Sequence, residues 1–116
     1  MRRDGGEDWP GLPRRFEAKG WTPVPDLLFD RLLPNCDPRY WRVVSYLVRQ
    51  TYGWGREEEG VARSIRQIAR ALSMRVASVA EALKALEARG VIVVERTQRQ
   101  DGSPEVNRYR FRWEDE

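Results

Sequence analysis

Ser64-Ile65-Arg66-Gln67-Ile68-Ala69-Arg70-Ala71-Leu72-Ser73-Met74-Arg75-Val76-Ala77-Ser78-Val79-Ala80-Glu81-Ala82-Leu83-Lys84-Ala85-Leu86-Glu87-Ala88-Arg89-Gly90 carries two helical apolar patterns separated by one short break. Ser64 and Gln67 have capping-box spacing: the hydroxyl reaches the Gln67 amide while the Gln67 side chain reaches back. Ile65, Ile68, Ala69 and Leu72 then form one face. Ser73 makes a turn and is suited to cap the next helix. Val76, Val79, Leu83 and Leu86 recur at steps of three, four and three, so a helix over about 74–89 buries that stripe. Arg75, Ala77, Ser78, Glu81, Ala82 and Ala85 are then left facing outward, and Gly90 ends the helix. Two helices joined by so short a turn are the helix-turn-helix pattern.

Downstream, Val91-Ile92-Val93-Val94-Glu95-Arg96-Thr97 is β-branched and reads as a strand. Residues 98–105, centred on Asp101-Gly102-Ser103-Pro104, read as a turn. Asn107-Arg108-Tyr109-Arg110-Phe111-Arg112-Trp113 alternates, with Tyr109, Phe111 and Trp113 on one face and three arginines on the other, as in a strand with one buried face. Upstream, Asp37 and Pro38 open a core helix that carries Tyr40, Trp41, Val44, Leu47, Val48 and Thr51, with Gly53 as its C-terminal cap. An earlier helix is expected from Pro25 to before Pro34, with Leu27, Leu28, Leu32 and Leu33 as its stripe. Val61-Ala62-Arg63 is a short strand candidate. The fold expected from this order is mostly α with a small β-hairpin, a winged helix-turn-helix over residues 20–113. Residues 1–19 are expected to form a flexible arm on which Trp9, Leu12 and Phe16 could dock, and residues 114–116 an acidic tail.

Residues 63–112 hold 11 Arg and Lys against 5 Asp and Glu, so this segment carries +6 while the whole chain carries +3. Only Lys19 and Lys84 are lysines, and the remaining 19 cations are arginines. Their planar forks suit phosphate and guanine, although base composition of the genome produces the same bias. A basic body of this kind points to double-stranded DNA. In the second helix of the pair, Arg75 and Ser78 occupy the first turn, where base edges and phosphate are both within reach. Ala77, Ala82 and Ala85 permit close approach. Glu81 can accept from a cytosine amino group or simply be solvated. Ser64, Arg66 and Arg70 lie on the helix expected to cross the DNA backbone; an exposed polar face is the plainer reading. Arg96, Arg99, Arg108, Arg110 and Arg112 form a basic wing for phosphates, or a charged edge that prevents sheet-to-sheet pairing. Trp21, Trp41, Trp54 and Trp113 read as core or interface aromatics.

Gly20-Trp21-Thr22-Pro23-Val24-Pro25 and Arg49-Gln50-Thr51-Tyr52-Gly53-Trp54 resemble the N-terminal region of bacteriophage replication protein O and related phage and plasmid initiators. The run Ala82-Leu83-Lys84-Ala85-Leu86-Glu87-Ala88-Arg89-Gly90-Val91-Ile92 looks like winged helices generally, MarR-type regulators included. The resemblance spans about residues 20–113. It implies binding to repeated sites at a replication origin, as a homodimer, with replication proteins as partners. Such initiators recruit the replicative helicase through a separate C-terminal region, and no counterpart is expected before Glu116.

Other functions are constrained. There is no histidine, so neither an imidazole base nor a His-ligated metal is expected. There is no Gly-rich phosphate loop, and Cys36 alone builds neither a disulfide nor a thiolate metal site. The expectation is therefore a non-enzyme without cofactor or metal. No apolar run is long enough to span a membrane, and no signal peptide is visible, so a cytoplasmic protein is expected. Two alternatives stay open: a winged-helix transcriptional regulator, and a winged-helix docking module that does not touch DNA.

Overall fold

The computed structural model describes residues 2–3, 7–8, 10–12, 14, 19–97 and 106–116. Most of the expected arm and the turn at residues 98–105 therefore lie outside the described residues, as do Trp9, Phe16 and Arg99. Two short strands, β1 (Arg2–Arg3) and β2 (Glu7–Asp8), pair antiparallel within the arm. Leu12, expected to dock, is exposed.

The segment after Pro25 winds differently from the expected α-helix. A π-turn spans Leu28–Leu32, and a 3-10 turn follows over Leu33–Asn35. Pro34 has no N–H to return to a preceding carbonyl, so a regular helix cannot run through it. The Leu33 N–H instead reaches back to the Leu28 carbonyl. Leu28 and Leu32 are buried as expected, whereas Leu27 and Leu33 face solvent. Phe29 meets Trp41 with ring centroids 5.8 Å apart, which docks this segment on the next helix.

That helix, α1 (Pro38–Gln50), begins as the sequence predicts: the Arg39 amide donates to Asp37 Oδ1 at 2.8 Å. Val43, Val44, Leu47 and Val48 are buried on its inner face. Its end departs from expectation. Thr51, fully buried, donates its hydroxyl to the Leu47 carbonyl at 2.6 Å. The left-handed residue that follows is Gly55, after the 3-10 turn Tyr52–Trp54. Gly53 sits inside that turn, backed by the side chains of Thr22 and Arg49.

β3 (Val61–Arg63) leads into α2 (Ile65–Leu72), and α3 (Val76–Ala88) into β4 (Ile92–Glu95), followed by β5 (Asn107–Phe111). The sheet order is β3-β5-β4, antiparallel throughout, with Tyr109 opposite both Val61 and Val94. Tyr109 and Phe111 turn inward and are buried, while Arg108 and Arg110 take the other face. Trp113 does not continue this alternation. The chain leaves the strand after Phe111, and Trp113 lies half-exposed with the Arg110 guanidinium 4.8 Å over its ring. Trp21 and Trp54 are also exposed, so of the four tryptophans expected in the core or at an interface, Trp41 is the one that packs against the core. Gly60 (φ +75°) makes the tightest backbone approach: a Cβ there would come 2.4 Å from the Tyr109 carbonyl oxygen.

In α2 the capping box is complete, with the Gln67 amide donating to Ser64 Oγ at 3.1 Å and the Ser64 amide to Gln67 Oε1 at 2.8 Å. Ser73 does not cap α3. It ends α2 in the left-handed conformation (φ +52°), and the Met74 amide closes the turn on the Ala69 carbonyl at 2.9 Å. A residue used to terminate one helix this way cannot take the extended geometry of an N-cap, so that place falls to Arg75. In α3, Val79, Leu83 and Leu86 are buried as expected, but Ala82 joins them at 0% exposure. Val76, in the first turn and beyond the packed core, is 43% exposed. Since α3 packs on α1, a methyl at position 82 lets the two helices approach closely.

Two substitutions test this backbone account by chemical denaturation. Ser73→Gly removes the steric cost of a left-handed non-glycine residue and should stabilise the domain by about 0.5–1 kcal/mol. Gly60→Ala should destabilise it by about 2 kcal/mol or more, because the added methyl meets a carbonyl that the sheet holds in place.

Candidate nucleic-acid interface

The helix-turn-helix pair places its candidate residues at one corner. The turn Ser73-Met74-Arg75 delivers α3 with its N-terminus open: Arg75 holds the N-cap position, and no side chain caps the helix. The N–H groups of residues 76–78 thus keep the partial positive charge of a helix start. Arg75 and Ala77 are exposed and Ser78 is half-buried. Further along, Ala77, Glu81, Lys84 and Ala88 follow one another at steps of four, three and four, and all are exposed. Lys84 therefore shares the outward face, a position that seven-residue spacing from Ala77 already marks. Ala82 does not belong to this face, and Ala85 flanks it half-buried. Glu81 Oε1 stands 3.7 Å from an Arg39 nitrogen, and Arg39 also holds Asp37 at 2.9 Å. Glu81 is thus partly neutralised from α1.

On α2, Arg66 and Arg70 are exposed and one turn apart. Among the described residues, no hydrogen bond or ion pair engages the side chains of Arg66, Arg70 or Arg75. Ser64 is occupied by its capping role. Arg42 of α1 donates to the Leu72 carbonyl, tying the end of α2 to α1 just before the turn.

The hairpin arginines are placed less simply. Arg96 grips Glu87 of α3 with two hydrogen bonds of 3.0 and 2.7 Å, which hold the Glu87 carboxyl below its ordinary pKa. Arg110 grips Glu116 in the same bidentate manner, both bonds 2.7 Å. Arg112 donates to the carbonyls of Gly90 at 2.7 Å and Glu116 at 2.6 Å. Arg108 donates to the Glu59 carbonyl at 3.3 Å. By strand register, Arg108 pairs with Glu95 toward the open end of the hairpin, whereas Arg110 pairs with Val93 nearer its base. Arg112 lies beside Gly90, at the C-terminal end of α3, so Arg110 and Arg112 sit away from Arg75. The turn of the chain after Phe111 brings Glu116 back onto Arg110 and Arg112, a pairing that the strand alternation alone does not mark.

Residues 55–101 match the family described as the LexA DNA binding domain. The matched stretch holds β3, α2, α3 and β4. No curated protein and no solved structure matches the chain. The helix pair and three-stranded antiparallel sheet make the fold a winged helix-turn-helix, and the matched family is a DNA-binding one. No described helix is long and apolar enough to cross a membrane.

The Arg110 clamp and the Trp113 amide bond lower the Glu116 carboxyl from 4.5 to about 2. A depressed acid contributes while ionised, so the clamp is complete above pH 4.5 and is lost as pH falls toward about 2. Carboxyl NMR titration should give that low midpoint, and Arg110→Ala should return Glu116 to the ordinary range; an unchanged midpoint in the variant would show that the ion pair does not set it.

Proposed function

We propose that the protein binds double-stranded DNA sequence-specifically, with the N-terminal half of α3 in the major groove. One observation carries this reading: the exposed guanidinium groups of Arg66 and Arg70 on α2 and of Arg75 at the uncapped start of α3 have no acidic partner among the described residues. The major groove admits one helix, and an open helix N-terminus attracts phosphate. In this reading Arg75 and Ser78 touch base edges, Ala77 allows close approach, and Lys84 and Glu81 lie along the groove. Arg66 and Arg70 take phosphates, with Ser64 positioned at the same backbone. Arg99 and Arg108 supply the wing contact, whereas Arg96, held by Glu87, fastens the hairpin to α3. Arg110 and Arg112 brace the base of the hairpin instead, since their donors are already directed at Glu116 and Gly90.

The biological setting we favour is origin binding by a phage- or plasmid-type initiator, acting as a homodimer on repeated sites alongside replication proteins. The two halves of the initiator resemblance support it by meeting in space: Thr22 packs against Gly53. The LexA DNA binding domain match supports DNA recognition without choosing between replication and transcription.

Arg75→Asp separates function from stability. An aspartate at the N-cap should stabilise the fold by about 0.5–2 kcal/mol, yet it places an anion where DNA phosphate approaches and should abolish binding. Both are readable by denaturation and by duplex titration. Undiminished binding would remove the α3 N-terminus from the interface. Converting Arg66 and Arg70 together to Ala should flatten the salt dependence of binding by about two units on every duplex. Arg110→Ala should leave that slope unchanged.

A further inference from the structure

At the end of α3 away from Arg75, a cleft of about 730 Å³ opens between the segment after Pro25, the 3-10 turn after α1 and the base of the hairpin. Leu27, Leu28, Tyr52, Val91, Phe111 and Trp113 line it. Leu28 and Phe111 are buried and form its floor, while Leu27 (65% exposed) and Trp113 (37%) stand at its mouth. Its volume is that of a small-molecule site, and apolar side chains this exposed call for an occupant.

The charges around the floor narrow the chemistry. Arg31, Arg89 and Arg112 line the cleft together with Glu114 and Asp115. Arg112 is committed to the carbonyls of Gly90 and Glu116. Among the described residues no ion pair joins Arg31 or Arg89 to Glu114 or Asp115. Two cations and two anions thus share one apolar cleft without neutralising each other. A ligand with an apolar body and a single negative charge would serve the arginines and be repelled by the carboxylates. A ligand with one group of each sign serves both.

We propose that this cleft binds a short apolar peptide with free termini, its carboxylate on Arg31 and Arg89 and its ammonium on Glu114 and Asp115. The guanidinium fork matches a carboxylate bidentately, and apolar side chains fill the floor. Arg89 caps the C-terminus of α3, and Arg112 fastens Gly90 directly behind it. The occupied cleft therefore grips one end of the helix whose other end, about 20 Å away by helical rise, carries Arg75. The proposal does not rest on DNA binding.

Calorimetric titration of the whole chain with the dipeptide Leu-Phe, its N-acetyl derivative and its C-terminal amide tests it. Saturable one-to-one binding of Leu-Phe is expected, with each blocked derivative weaker by about tenfold or more, as loss of a charge-assisted contact implies. Arg89→Gln or Arg31→Gln should erase the preference for free dipeptide over the amide. Glu114→Gln combined with Asp115→Asn should erase the preference over the N-acetyl form. All four positions are exposed, and circular dichroism verifies that the variants remain folded. No saturable binding at millimolar dipeptide would overturn the proposal, as would equal affinity for all three ligands. Self-association in sedimentation velocity that Arg89→Gln abolishes would also overturn it, by assigning the cleft to a second copy.

Discussion

The strand that holds the sheet together is the last one in the chain. β5 lies between β3 and β4, so neither of those has a sheet partner until residues 107–111 arrive. Tyr109 is 1% exposed and sits opposite Val61 on one side and Val94 on the other. Phe111 faces Ile92 and meets Tyr52 at 6.1 Å between centroids. These two aromatics supply the apolar burial that offsets the entropy of closing the long loop between β3 and β5. Arg63 then ties β3 to α1, donating to the Tyr46 hydroxyl and to Gln50 Oε1, each at 3.1 Å. Because Gly60 passes against the Tyr109 carbonyl, the same strand also fixes the route of the chain into α2.

With sheet and helices locked, the distribution of charge acquires direction. Glu87 and Glu116 are spent on Arg96 and Arg110, which fasten the hairpin to α3 and to the tail. Among the described residues, the arginines of the helix pair without an ion pair are Arg66 and Arg70 on α2, Arg75 at the start of α3 and Arg89 at its far end. Arg75 is the clearest conflict between local stability and placement. An arginine is a poor N-cap, and a short polar side chain would serve the helix better. Violations of local rules gather at functional positions in natural proteins, and this one stands where the proposed mode of binding puts the duplex.

Much of this was legible in the sequence because the signals were local. The Ser64–Gln67 capping box, the Asp37 cap, Gly90 as the terminator of α3 and the alternation of Arg108 to Phe111 each depend on residues within a few positions. The winged helix-turn-helix follows from their order. What could not be read depends on where elements end and on side-chain pairings that no periodic pattern marks. Ala82 is buried because it falls within the face of α3 that packs into the core with Val79, Leu83 and Leu86. Trp113 leaves the core side because the strand ends two residues earlier. Ser73 terminates α2 because backbone bonds to Ala69 and Arg70 outweigh its value as a cap. Likewise, Arg96 and Arg110 look free in sequence and are ion-paired in the fold. The proposed interface accordingly lies toward α2 and the start of α3, and it includes Lys84.

Recognition of duplex DNA by the proposed α2–α3 corner can be tested on the whole chain. The most direct measurement is selection from a random duplex pool by the purified chain at near-physiological salt, with the enriched duplex then titrated against the isotopically labelled protein by NMR. The account requires a short enriched motif, steep weakening of binding as salt rises, and shift changes concentrated on residues 64–78 and the open end of the hairpin. No enrichment with salt-independent association would contradict it. So would shifts confined to the base of the hairpin around Gly90 and Arg112, which would place the working surface at the opposite end of α3.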